Sequence, residues 1–178
     1  RQNVFSRGGP GSAKALAKSY PIIDPTSPKT ATAVAPVPSS NHSLSQVVAG
    51  LNPSQSRHAS LVHMLNLWQI SPGQIVSDFG TGDAATFFRL SALRYDLQVH
   101  IITGDLALVR RLNLPAIVAL RRSQGPDAGF VVLTALTPKK ATIRSGSVDD
   151  PSEQEVDIPE LMAQLTGPIY LFWKDFLS

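Results

Sequence analysis

Four histidines, His42, His58, His63 and His100, are the only imidazoles in a chain of 178 residues that contains no cysteine. Without a thiol there is no thiolate nucleophile, no disulfide and no cysteine-ligated zinc, so nucleophilic chemistry would fall to a hydroxyl with an imidazole base. Thr86 or Ser91 with His100 is the combination considered, a hydrolase with a non-cysteine nucleophile. It requires hydrogen-bond reach between hydroxyl and ring. Both hydroxyls fall inside a helical pattern and away from any strained, glycine-held turn, which weighs against it. His58 and His63 lie five residues apart, about 140° around a helix, and do not converge on a metal ion. His100 sits in a strand pattern, where a half-buried sheet position is the better reading. No metal site and no cofactor are expected.

Three further constellations carry polar chemistry. The run GTGDAATFF, Gly80 to Phe88, places glycines before a helix start, an arrangement that can cradle an anion. Asp83 answers that reading, because its own carboxylate would cap the free N–H groups and repel an anion. The acidic run Asp149, Asp150, Glu153, Glu155 and Asp157 reads as a solvated hairpin loop. Two basic pairs, Arg110-Arg111 and Arg121-Arg122, suit a helix C-terminus and a strand end. The aromatic residues Trp68, Phe87, Phe88, Phe172 and Trp173 stand mostly at core spacing.

These residues need elements to position them, and the elements begin late. Residues 1–53 hold seven of the fourteen prolines and the stretch PTSPKTATAVAPVPSS, a composition without apolar periodicity. They read as a Pro/Ala/Ser-rich linker or docking arm, with 54–178 as the folded domain. The arm carries five Lys/Arg against one Asp, and the remainder eleven against twelve, so the net charge of +3 belongs to the arm. With no basic face on the domain, and without the regular aromatic interleaving of single-strand binders among the arm's cations, where only Phe5 and Tyr20 stand, no nucleic-acid partner is expected. No window reaches the apolar length of a membrane span, about 18 residues. Any span would therefore lie outside this sequence.

Ser43 to Leu51 predicts a short helix capped by Asn41 or Ser43 and stopped by Asn52-Pro53. SRHASLVHMLNLWQI predicts a longer one with an apolar stripe. Asp83 opens a helix to Tyr95, with Ala84, Phe87, Phe88 and Leu93 available for burial, and Gly104-Asp105 opens another to Leu112. Strands are expected at Leu97–Ile102, Ala116–Leu120, Phe130–Leu136, Ala141–Arg144, Glu155–Ile158 and Ile169–Trp173, with a helix from Pro159 to Leu165. The result is an α+β class: helices packed on one side of a mostly antiparallel sheet.

The helix containing LNLW, the GD-led helix, GDLALVRRLNLPAIVAL, GFVVLTAL and the terminal LFWK together resemble the periplasmic peptidase-like domain of the general secretion pathway protein A family of type II secretion. That domain is itself like the double-glycine cysteine peptidases that process bacteriocins. The resemblance covers roughly Ser56 to Asp175 and is most specific at Leu112–Leu120 and Tyr170–Lys174. It implies a papain-like cysteine-peptidase fold and a periplasmic location, tethered to the inner membrane by a span upstream. It also implies a role in placing or assembling an outer-membrane secretin through the cell wall.

Carried over residue by residue, the family's catalytic groups are missing. The resemblance implies a nucleophilic cysteine at the start of a helix, placed here at Asp83, Ala84 and Ala85, with Thr86 the first hydroxyl. The base histidine would open the strand at Phe130, where Ala128-Gly129 stand, and the acid would fall at Ser145-Gly146. The expectation is a non-catalytic, protein-binding module with a vestigial groove at Asp83, Ala85, Thr86, Gly129 and Phe130. Its implied partners are a secretin or a companion inner-membrane protein, with peptidoglycan as a second candidate. The rival within the binding class is a substrate-recognising, peptidase-like domain of a bacteriocin or toxin exporter.

Overall fold

The computed structural model describes residues 42–73 and 82–176. They fall within one compact unit, residues 37–178. Five helices and six strands follow in the order α1 (Leu44–Ala49), α2 (Pro53–Leu67), α3 (Ala84–Arg94), β1 (Gln98–Thr103), α4 (Leu106–Leu112), β2 (Ala116–Leu120), β3 (Gly129–Leu136), β4 (Lys140–Gly146), β5 (Pro151–Asp157), α5 (Ile158–Gln164) and β6 (Leu165–Trp173). The strands form one sheet in the order β1-β6-β2-β3-β4-β5. Each neighbouring pair is antiparallel. The fold is α+β, as the sequence indicated.

Alternation along the strands divides the core into two layers. Ala116, Val118 and Leu120 of β2 face one layer with Val131, Leu133, Ile169 and Leu171, and α1, α4 and α5 cover it through Leu44, Val109 and Leu161. Ile117 and Ala119 face the other with Phe130, Val132, Tyr170 and Phe172, beneath α2 and α3. The helices therefore flank both faces of the sheet, correcting the one-sided packing expected above. Burial on both faces explains why β2 is an unbroken apolar run with no alternation. Phe88 centres the second layer, with the rings of Phe87, Phe130, Tyr170 and Phe172 at centroid distances of 5.2, 5.7, 4.7 and 5.9 Å. Such tilted and edge-to-face pairs each add about 0.5–1.5 kcal/mol beyond area burial.

Four other expectations are revised. The domain begins before Ser54: α1 is capped by Ser43, and its Leu44 is 0% exposed in the core. Two long-range bonds fasten this stretch, from Leu44 N–H to Glu160 Oε1 at 3.2 Å and from Gln154 Nε2 to the His42 carbonyl at 2.8 Å. Asn52-Pro53, read as a stop, is also a start, because Asn52 caps α2 and Pro53 opens it, where a missing N–H costs nothing. Leu93 is 78% exposed and lies off the buried face of α3. The acidic run continues into β5, where Glu153 pairs with Arg144 at 3.0 Å and Asp157 with Lys140 at 3.5 Å. Residues 1–41 of the expected arm lie outside the described residues, as do Gly80 and Thr81. Among the described residues no helix is long and apolar enough to cross a membrane.

Candidate functional site

A nucleophile on a helix N-terminus and a base at a strand start can react only if fold geometry brings those two ends together. The helix whose first turns meet the start of β3 is α2. The Phe130 N–H donates to Ser56 Oγ at 3.0 Å, and that hydroxyl donates to the Pro53 carbonyl at 3.3 Å. Leu51, just before α2, lies over Gly129: a Cβ built there would come within 2.7 Å of Leu51 Cδ1 and 2.8 Å of its Cβ. The space a histidine side chain would enter is filled by leucine.

The start of α3 also meets α2. Thr86 N–H donates to Asp83 Oδ1 at 2.8 Å, so Asp83 is the helix cap its sequence position predicted. Hydrogen bonds from Thr86 hold the Asp83 carboxyl below the usual range; desolvation opposes them, and the charges of Arg89 and then Arg57 add to the lowering. Arg57 bridges from α2, donating to the Gly82 carbonyl at 3.0 Å and standing 4.6 Å above the Phe87 ring. Beneath, burial first and the Asp83 charge second push the Tyr170 hydroxyl above its ordinary pKa. Asp83, Ala85 and Thr86 stand at the start of α3 and Gly129 and Phe130 at the start of β3, and the neighbouring α2 residues Arg57 and Ser56 reach one each, at Gly82 and Phe130. Deeper in, α3 and β3 meet directly, with the Phe88 and Phe130 rings 5.7 Å apart.

A cavity of about 620 Å³ opens beside the first turns of α2. Its walls are α2, through Ser54, His58 and Ala59, the Phe130 ring, and the β4–β5 turn from Ser145 to Val148. None of its lining residues is Asp, Glu, Lys or Arg. His63, at the back, is nearly fully buried, and its Nε2 donates to the Gly146 carbonyl at 3.2 Å. Burial lowers its pKa, the bond to Gly146 opposes that, and the Arg144 charge lowers it further. A neutral imidazole therefore ties the turn to α2. Gly146 holds φ of +93°, and a Cβ there would meet the Asp150 carbonyl at 2.5 Å, so only glycine fits.

The hydroxyl–imidazole combinations do not assemble. Ser91 is buried in the α3 layer with Oγ donating to the Phe87 carbonyl at 2.7 Å. His100 pairs across the ladder with Leu171, on the opposite face of the sheet from Val99 and Ile101, which pack toward α3. The sheet stands between that ring and both Thr86 and Ser91. Among the described residues no serine or threonine hydroxyl bonds to a histidine ring, and no cluster of His, Asp and Glu is arranged for a metal. Sequence reasoning missed the role of α2. The signal available was Asn52-Pro53, a cap-and-proline start ahead of a fifteen-residue helix.

No protein-family model matches the chain. No curated protein sequence matches it either. Solved structures do. The peptidase domain of Streptococcus ComA, a bi-functional ABC transporter involved in quorum sensing, superposes with a TM-score of 0.55 at 12% identity, covering 72% of this chain and 97% of that one. This chain therefore has the papain-like fold that its resemblance to the double-glycine peptidases implied. A periplasmic domain of the EpsAB fusion protein of the Vibrio vulnificus type II secretion system is also similar, with a TM-score of 0.49 at 13% identity over 72% of this chain. The match spans about half of that structure, 49% of its length. In a chain with no cysteine, the fold cannot run cysteine-peptidase chemistry.

Proposed function

We propose that this domain is a non-catalytic, peptidase-like interaction module of a bacterial secretion assembly, working in the periplasm to help an outer-membrane secretin assemble through the cell wall. The observation that carries the reading is Leu51 seated over Gly129 in a papain-like fold. The base position is filled by a core contact, and the chain offers no thiol for a base to activate. The 620 Å³ cavity beside that position keeps the means to bind. Its uncharged, mixed apolar and hydroxyl lining suits an extended, neutral segment of a protein partner better than an anionic one. The sequence motifs at Leu112–Leu120 and Tyr170–Lys174 favour the type II secretion family over an exporter. In this reading the partner is a secretin or a companion inner-membrane protein, the tether is a span upstream, and peptidoglycan is a further surface to be tested.

The test is a binding titration against the purified periplasmic segment of a type II secretin, with purified cell-wall sacculi and a double-glycine leader peptide as parallel arms. Val148→Arg, at the exposed rim of the cavity, serves as the site variant. Saturable secretin or sacculus binding, weakened by Val148→Arg, is the expected result. Capture of the leader peptide alone would transfer the domain to the exporter class, and binding indifferent to Val148 would remove the cavity from the account.

A further inference from the structure

The two edges of the sheet are built differently. β5 starts at Pro151 and carries Glu153, Glu155 and Asp157, the charges and proline that usually keep an edge from pairing with another chain. β1, the other edge among the described strands, is the six-residue run QVHIIT, with no charge and no proline. Its side chains alternate between exposed and half-buried over Gln98 to Ile101. Nothing in its sequence guards it.

A second cavity, of about 460 Å³, lies at the start of this strand, lined by Trp68, Leu114, Leu171, Trp173, Phe176 and, from β1 itself, His100. His100 stands opposite Leu171 and Gln98 opposite Trp173 in the β1–β6 ladder, so pocket and edge are one continuous surface. Apolar groups stay out in solvent around it: Phe176 is 77% exposed and Leu112, also lining the cavity, is 46% exposed. The Trp68 indole N–H is out of water with no hydrogen-bond partner among the described residues, a donor without an acceptor. Lys174 is the only Lys or Arg in the lining, and among the described residues no ion pair engages it.

We propose that β1 and this cavity form a strand-addition site for an extended segment of a partner protein, pairing antiparallel to β1 and placing one apolar side chain in the cavity with a carboxylate beside Lys174. Main-chain hydrogen bonds to an added strand supply affinity, and the pocket selects the side chain. An antiparallel strand continues the pairing of the whole sheet, and its C-terminal end falls beside Gln98, where the cavity lies. The occupant is uncharged along the edge and acidic at its end, because β1 offers no charge to satisfy and Lys174 offers one. This surface shares no lining residue with the cavity beside α2, so it stands or falls apart from the reading above.

The chain has two tryptophans, Trp68 and Trp173, and both line this cavity, so intrinsic fluorescence reports its occupancy. The probe is an acetylated peptide alternating Thr and Val and ending Leu-Asp, titrated beside the same peptide N-methylated at alternate residues. The expected result is a saturable tryptophan change with the first peptide and none with the second, whose blocked N–H groups cannot pair. Gln98→Lys with Thr103→Lys, both at exposed positions, should weaken binding about tenfold by guarding the edge, and Lys174→Glu should do the same through the carboxylate. Circular dichroism confirms that each variant is folded. No fluorescence change at millimolar peptide, or equal binding of the N-methylated peptide, overturns the proposal. Concentration-dependent dimers in sedimentation, abolished by the two edge lysines, would overturn it in favour of a second copy of this chain.

Discussion

At the start of β3, Leu51 packs so closely on Gly129 that a Cβ there would meet its side chain. Gly129→His, the residue type that the proposed peptidase ancestry would place here, forces a side chain against Leu51 Cβ as well as its flexible end. Overpacking of this kind destabilises by about 1–3 kcal/mol. Chemical denaturation should register that loss, and Gly129→His with Leu51→Ala should recover part of it; equal stability of wild type and the single variant would contradict the contact. His63 provides a second residue-scale check. Its folded pKa lies below the ordinary 6.5, so the unfolded chain binds the extra proton first. Its stabilising effect is present above pH 6.5 and is lost as pH falls below that value toward the depressed folded pKa. His63→Gln should therefore show a flatter decline in stability between neutral and mildly acidic pH than wild type, measured by thermal melts across that window.

At the scale of elements, α1 and α2 hold the site together. A chain beginning at Ser54 loses Leu44 and Val48 from the core, and removing one buried leucine side chain alone costs about 2–5 kcal/mol. Such a chain should melt well below one beginning at His42, and equal melting would show that α1 is dispensable. Ser56→Ala leaves the Phe130 N–H buried without its acceptor, a change that destabilises by about 1–3 kcal/mol and should loosen the α2–β3 contact in hydrogen exchange. Much of this was legible in the sequence. Ala116–Leu120 was readable to the residue because both faces are buried and Pro115 and Arg121 bound it, and Asp83 and Asp105 declared their helix caps. The pairing of α2 with β3 was not legible, because it is a contact between segments 74 residues apart, as Phe130 and Ser56 are. Local pattern pointed to the glycine-led start at Asp83, nearer in sequence and richer in turn signals. The two-faced sheet was also hidden, since α1, α4 and α5 are short and their stripes do not say which layer they join.

The described domain has a papain-like fold in which α2 begins under a leucine, β3 opens on glycine, and the β4–β5 turn is tied to a buried histidine. The hydroxyls lining the cavity beside α2, Ser54, Ser56, Ser60, Ser145 and Ser147, and the rings of His58 and His63 are the groups from which hydrolysis in that cavity would have to come. The most direct test of the central claim is therefore mass spectrometry of double-glycine leader peptides and a mixed peptide panel incubated with the purified chain. The account predicts intact peptides at every time point, with cleavage no faster than in buffer. Sustained turnover by wild type that disappears in Ser54→Ala or His58→Ala would contradict it.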